Sequence, residues 1–370
     1  MGKALSVGWL RQSFAEGYAF SSHGWRSQSS LRDHQRYPAK SNPMMLPTKS
    51  AVLGSLIGGA VGDAMGAPFE GLWAHSIPPA GSLAASFHEY HGYPTGQYTD
   101  DTQLTIATIR SVVEQEEVIV ADVARRISEL WRHQSVIGPG GACTRAAEHF
   151  LATGEWRDMG APVGQAGNGT AMRTAALGLW FGDDHQSLIS VVAEISRLTH
   201  QDSRSIAGGV VIALAANHLS STNDIAPNSF CNLLADACDD INSELAQLLR
   251  QLPSQFKTDD ILDFQAFSGQ PSPEFETPII SPFVIPTVLA SIYCILLHPD
   301  SWIDAVTCAV SLGGDVDTLG AIVGGLAGSR HGFESIPSNL VESVQDSEAI
   351  QLLATKYYSA ILNHAEKNGR

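Results

Sequence analysis

Two short segments, Thr99-Asp100-Asp101-Thr102 and Asp315-Val316-Asp317-Thr318, hold four carboxylates and three hydroxyls within two turns of chain. Each follows glycine or turn-forming residues and precedes an apolar run suited to a helix. One such segment reads as an N-cap, because Thr and Asp satisfy the free amides of a first turn and suit the helix dipole. A cap needs a single Asp, however, and adjacent like charges repel unless a cation neutralises them. In the second segment the i, i+2 carboxylates converge while Val316 turns toward the core. Two segments of the same grammar point to halves of one site for a hard divalent cation such as Mg²⁺, which selects carboxylate, hydroxyl and water oxygens. Six oxygen ligands exceed what one ion needs beside its waters, so a pair about 3.5–4 Å apart is expected.

Other segments supply different chemistry. Gly167-Asn168-Gly169-Thr170 and Gly138-Pro139-Gly140-Gly141 each precede a helical stretch, where free amides can hold phosphate; alone, either reads equally as an ordinary turn. A complete P-loop or G-x-G-x-x-G is absent. Gly58 to Gly66 has the small residues of a helix packed closely on a neighbour. Within it Asp63 either satisfies a buried backbone group or serves the site, and Glu70 either is structural or touches the metal or its water. His88 and His91 can share a helical face, a structural pairing without H-E-x-x-H. His200, in Leu198-Thr199-His200-Gln201-Asp202-Ser203, is the better ligand contact. No G-x-S-x-G elbow supports a serine hydrolase.

The chain that must position these groups has 370 residues, 44% of them hydrophobic and 16% charged, with a formal net charge of -16. Such acidity argues against nucleic acid as a partner and fits a cytoplasmic protein, while leaving room for a phosphate-bearing ligand. Cys143, Cys231, Cys238, Cys294 and Cys308 are odd in number and lack C-x-x-C spacing, so reduced thiols buried as small hydrophobes are expected. The most apolar stretch, Phe283 to Leu297, is short for a membrane span and contains Pro286; a buried helix and no membrane partner are expected. The first 49 residues differ in composition. Ahead of Lys49 they carry Lys3, Arg11, Arg26, Arg32, Arg36 and Lys40 against Glu16 and Asp33, with many serines. A transit peptide shares that composition, and Met1-Gly2 with Ser6 meets the loose myristoylation pattern. The preferred reading is a disordered tail or an upstream extension before Met44 or Met45.

From Ala51 onward helical periodicity dominates. It covers Leu104 to Val113, Val120 to Arg132, Gln186 to Thr199, Ser205 to Leu219, Phe230 to Leu252, Val288 to Leu297, Ser301 to Val310 and Leu319 to Ala327. A last helix, capped by Asp346 or Ser347, carries Ile350, Leu353, Tyr357 and Ile361 at helical spacing. Breakers gather at Pro78–Gly96, Gly138–Gly141, Gly154–Gly169 and Pro253–Pro286, and strand alternation is lacking. One compact all-α domain over 50–370 behind a detachable tail is expected.

In order along the chain, five motifs resemble the ADP-ribosylglycohydrolase family of ADP-ribosyl-acceptor hydrolases and dinitrogenase reductase-activating glycohydrolases. They are Gly-Asp-Ala-Met-Gly-Ala-Pro-Phe-Glu (62–70), Tyr-Thr-Asp-Asp-Thr (98–102), Gly-Asn-Gly-Thr-Ala-Met-Arg (167–173), Thr-His (199–200) and Gly-Gly-Asp-Val-Asp-Thr (313–318). The resemblance implies an all-α orthogonal multi-helix domain with two Mg²⁺ ions in a central cleft. It implies that Thr99, Asp100, Asp101, Asp315, Asp317 and Thr318 are the metal ligands. Gly167, Asn168, Gly169 and Thr170, with Gly138, Gly140 and Gly141, would hold the diphosphate, His200 would line the ADP-ribose site, and Glu70 would gate the cleft. Asp100, Asp315 and Glu70 become the catalytic candidates, Asp315 as base, for a monomeric hydrolase that releases ADP-ribose from a protein side chain or a small molecule. Another Mg²⁺-dependent phosphoester hydrolase, or a non-catalytic ADP-ribose binder, is the alternative. The tail and the loop at 253–286 depart from the family pattern.

Overall fold

The computed structural model describes residues 46–157, 159–222, 225–257 and 279–368. The expectations for the N-terminal extension up to residue 45, and for the middle of the Pro-rich loop (258–278), lie outside these residues. Among the described residues the architecture is all-α: there is no strand, only isolated bridges between loops.

The long helices are α1 Lys49–Gly66, α2 Asp100–Gln115, α3 Val120–Arg132, α4 Gly141–Thr153, α5 His185–Arg197, α6 Ser203–Leu219, α7 Pro227–Cys238, α8 Ser243–Gln251, α9 Val284–Leu297, α10 Trp302–Val310, α11 Val316–His331 and α12 Ser347–Lys367. Five of the twelve start where the sequence supplies a cap. The Thr48, Asp184, Asp202, Asn242 and Ser301 side chains each accept a first-turn amide of α1, α5, α6, α8 and α10. Phe230 to Leu252, expected as one helix, is two. The Cys238 carbonyl takes the amides of Ile241 and Asn242, and Asn242 then restarts the chain as the cap of α8. Helix α9 begins earlier than expected because Pro286 sits in its first turn, where no intrahelical N–H is required. Asp346 precedes α12 in left-handed geometry but does not cap it; its Oδ2 accepts the Tyr98 hydroxyl at 2.9 Å. His88 and His91 share no helix. They lie in an irregular segment and a turn, with the His88 ring edge-on to Phe69.

Helices α1, α6 and α11 are buried nearly along their whole length. The 21 residues Lys49–Phe69 are long and apolar enough to cross a membrane, yet 83% of their most apolar 18-residue stretch is buried inside the fold. Burial is possible because α1 and α11 meet backbone to backbone. Gly54 faces Gly328, Gly58 faces Gly324 and Gly62 faces Gly320; a Cβ on any of them would stand 2.0–2.4 Å from the opposing carbonyl oxygen. This contact, impossible for any larger side chain, sets Asp63 at the end of α1 beside the start of α11.

Candidate metal and ligand site

The two acidic segments meet across one cleft, and neither caps its own helix. Thr99 occupies the N-cap of α2 without accepting a helix amide, and Asp315 does the same for α11. The capping group of α2 comes instead from α1. Both oxygens of the fully buried Asp63 carboxylate accept from the Thr99 amide at 3.0 and 3.1 Å, and Oδ2 also accepts from the Thr102 amide at 3.0 Å. The Thr99 and Thr102 hydroxyls donate to the same carboxylate at 3.0 and 2.6 Å. Asp63 therefore satisfies a buried backbone end, and by doing so releases Asp100 and Asp101 to face the cleft.

That cleft, of about 190 Å³, is lined by Glu70, Asp100, Asp101, Asp315, Asp317 and Thr318 together with the two glycine segments. Glu70, Asp315 and Asp317 bring carboxylate oxygens within 4.8 Å of one another, Glu70 from the exposed mouth and the aspartates from buried positions. Buried Asp101 Oδ1 and Asp317 Oδ1 have no hydrogen-bond partner. Among the described residues, none of the five cleft carboxylates forms an ion pair with a basic side chain. Burial first, and then mutual repulsion, holds the Asp100, Asp101 and Asp317 carboxyls well above the usual range. Glu70 is raised by burial and by Asp315 and Asp63, and Asp315 by burial against the hydrogen bond from Asn168. Burial lifts Asp63 to about 6 despite its donors. Concentrated negative charge with orphaned oxygens is what a hard cation relieves, so the donor set fits a metal.

Three loops are laced together to hold this set. Asp315 N donates to Ile280 O at 2.8 Å, Gly314 N to Leu72 O at 2.9 Å, and Asn168 N to Pro282 O at 3.0 Å. Gly314 must be glycine: its φ is +90° and a Cβ would lie 2.1 Å from the Ile280 carbonyl. Residues 280–282 are thus the hub, a role hidden in the sequence within a segment read as a loop.

Of the expected ligand contacts, Gly138, Gly140 and Gly141 line the cleft at the start of α4, whose first-turn amides face it. Gly140 N points at Asp100 Oδ2 from 3.4 Å. Gly167 and Gly169 line it too, Gly169 packed beside Cys143 of α4. Asn168 lies between them with its donors engaged, its side-chain amide holding Thr287 Oγ1 at 3.0 Å and also Asp315. Thr170 does not line the cleft; its hydroxyl donates to the Ser205 carbonyl inside the core. Thr99 is likewise fully buried, its hydroxyl between Asp63 and Asp101. His200 lines the same cleft, as expected, and its ring also packs on the glycine loop, since a Cβ on Gly167 or Gly169 would lie 2.9 Å from it. Burial, aided by Arg173 and Arg145, pushes its pKa down to about 3, so the ring is neutral. Sequence reasoning passed over Arg173. This fully buried guanidinium donates to the Gly169 and Ile195 carbonyls and to Thr199, fixing the loop's shape. Its position directly after the glycine motif was the available signal.

A family model described as ADP-ribosylglycohydrolase matches residues 44–367. The ADP-ribosylhydrolase ARH3 of Gallus gallus is 26% identical, covering 84% of this chain and 94% of its own. The ADP-ribosyl-[dinitrogen reductase] glycohydrolase of Rhodospirillum rubrum is 26% identical over 77% of this chain and 87% of its own. A solved structure titled ADP-ribosylglycohydrolase-related protein complex superposes with a TM-score of 0.66 at 25% identity, over 84% of this chain and 98% of that one. With its motifs in order, its all-α fold and nearly its whole helical domain matched, the chain belongs to the ADP-ribosylglycohydrolase family and is a glycosidase-type hydrolase.

Proposed function

We propose that this protein hydrolyses the glycosidic bond between ADP-ribose and an acceptor, a protein side chain or a small molecule, in a Mg²⁺-dependent reaction. The observation that carries the proposal is the convergence of five carboxylates, two with orphaned oxygens, on a cleft that glycine segments also line. Thr99, Asp100, Asp101, Asp315, Asp317 and Thr318 are the residues that would hold two Mg²⁺ ions, with Glu70 at the mouth. Bound there, such ions supply charge neutralisation, chelation of ribose hydroxyls and a lowered water pKa.

The chain's own groups divide the remaining work. The glycine amides at the start of α4 and at Gly167 and Gly169 are suited to the diphosphate, whose charge they meet with N–H dipoles. Asp315 is oriented by the Asn168 amide, which holds one of its oxygens. So held, its carboxylate is placed to act as a general base that takes a proton from water as the anomeric carbon is attacked and the acceptor departs through an oxocarbenium-like state. His200, neutral and lining the cleft, is suited to contact the ADP-ribose rather than to act as an acid. A panel of arginine-linked, serine-linked and small-molecule ADP-ribose conjugates, assayed with and without Mg²⁺, tests the proposal. Release of ADP-ribose from none of them, or undiminished release in excess chelator, would refute it. A monomer and a cytoplasmic location belong to the same proposal, resting on the net charge of -16 and the unpaired thiols; light scattering and cell fractionation check them.

A further inference from the structure

Away from the cleft, α9 and α10 bring two of the five cysteines together. Cys294 Sγ lies 3.5 Å from Cys308 Sγ and donates its thiol hydrogen to it. Cys294 is buried, whereas Cys308 is half-buried. His298, which follows α9, is half-buried and hydrogen-bonds Cys308 as well. Burial pushes the thiols of Cys143, Cys231 and Cys238 up to about 12, for Cys143 despite the Arg173 guanidinium and Thr199 beside it. At Cys308 the thiol hydrogen bond from Cys294 and then the His298 contact outweigh burial and bring it down to about 6. A thiolate at neutral pH therefore stands about 1.5 Å short of disulfide bonding distance from a second thiol.

We propose that Cys308 and Cys294 form a redox-active dithiol, Cys308 the nucleophile toward hydroperoxides and Cys294 the resolving thiol. Cys308 sulfur attacks one peroxide oxygen and the O–O bond breaks. The departing hydroxide or alkoxide takes the proton that Cys308 gave up, leaving a sulfenic acid. Cys294 sulfur then attacks Cys308 sulfur, the S–O bond breaks, and water leaves with the Cys294 proton. Two thiols are oxidised by two electrons, and the peroxide is reduced to water and water or alcohol. The disulfide would join the two supports of the second acidic segment. Helix α9 carries Thr287, which holds Asn168 against Asp315, and α10 leads through residues 311–314 into Asp315 itself.

The test is made on the full-length protein, reduced, freed of reductant and treated with stoichiometric hydrogen peroxide before blocking with N-ethylmaleimide. The expected result is a reversible loss of about 2 Da and a Cys294–Cys308 linked peptide. In untreated protein, Cys308 should react with iodoacetamide first, and His298→Asn should slow that reaction about fivefold without altering the circular dichroism. Cys294→Ser should stop at a dimedone-reactive Cys308, and Cys308→Ser should keep all four remaining thiols. Wild-type protein that retains five thiols under peroxide, or in which Cys308 alkylates no faster than the buried cysteines, overturns the proposal.

Discussion

Adding one methyl group to Gly320 should loosen both the fold and the site, while the same change five residues later should do the opposite. A Cβ at Gly320 would lie 2.1 Å from the Gly62 carbonyl oxygen, so α1 and α11 must separate by more than about 1 Å to reach ordinary contact. The obstacle is backbone, which has no rotamer to change, so the overpacking cost falls at the upper end of its range, about 3 kcal/mol. Alanine's helix preference over glycine returns about 1 kcal/mol, leaving a net loss of about 2 kcal/mol. At ~2–4 °C per kcal/mol, Gly320→Ala should melt about 4–8 °C lower. At Gly325 a Cβ would meet Ala175 Cβ at 3.4 Å and the Ser55 carbonyl at 3.5 Å, contacts that need little adjustment. Gly325→Ala should therefore gain about 0.5–1 kcal/mol and melt slightly higher. Thermal unfolding of both variants, with and without Mg²⁺, reads the pair. Because Asp63 lies beside Gly62 and Asp317 three residues before Gly320, separating the helices should also weaken metal-dependent stabilisation in Gly320→Ala alone. Shifts of the same sign in the two variants would refute the reasoning that backbone contact sets the spacing of the acidic segments.

Asp317→Asn removes one of several repelling buried carboxylates, so the metal-free protein should melt at the same or a higher temperature at pH 8, while the Mg²⁺-induced rise disappears. Asp63→Ala strands four buried donors at the start of α2, each worth about 1–3 kcal/mol; loss of 4 kcal/mol or more, seen as failure to fold or a collapsed melting transition, is expected. The pH dependence of the metal-free protein follows from Asp63, raised from 3.8 to about 6 by burial. Between those values the folded chain binds more protons than the unfolded one. Stability is therefore fully present below about pH 4 and falls as pH rises through about 6, by on the order of 3 kcal/mol from this group. Urea titrations across pH 4.5–7.5 in chelator check the sign. The other raised carboxylates make protons compete with the cation, so the Mg²⁺-induced shift in melting temperature should be larger at pH 8 than at pH 5.5.

Much of the architecture was legible because local rules govern it. Helical periodicity located the long helices, and glycine spacing in 58–66 announced close packing. The kind of atom offered by the two acidic segments was equally plain: more negative charge than a cap requires, written twice, presents oxygen donors suited to a hard cation whatever the fold. The break at Asn242 was visible in principle as a cap residue ahead of Ser243-Glu244, but the apolar period ran through it.

What remained hidden depends on neighbours distant in sequence. Asp63 looked evenly balanced between structure and site because its partners, Thr99 and Thr102, lie more than thirty residues away. Thr170 and Gly167 belong to one motif, yet only packing turns the first into the core and the second to the cleft. The hub at 280–282 acts through backbone carbonyls, which every residue possesses and no motif records. By itself the sequence determined the elements and the kind of atoms offered, since propensity, capping and ligand type are properties of residues. Only the tertiary structure decided which offers are taken up, because burial and hydrogen-bond partnership are properties of pairs.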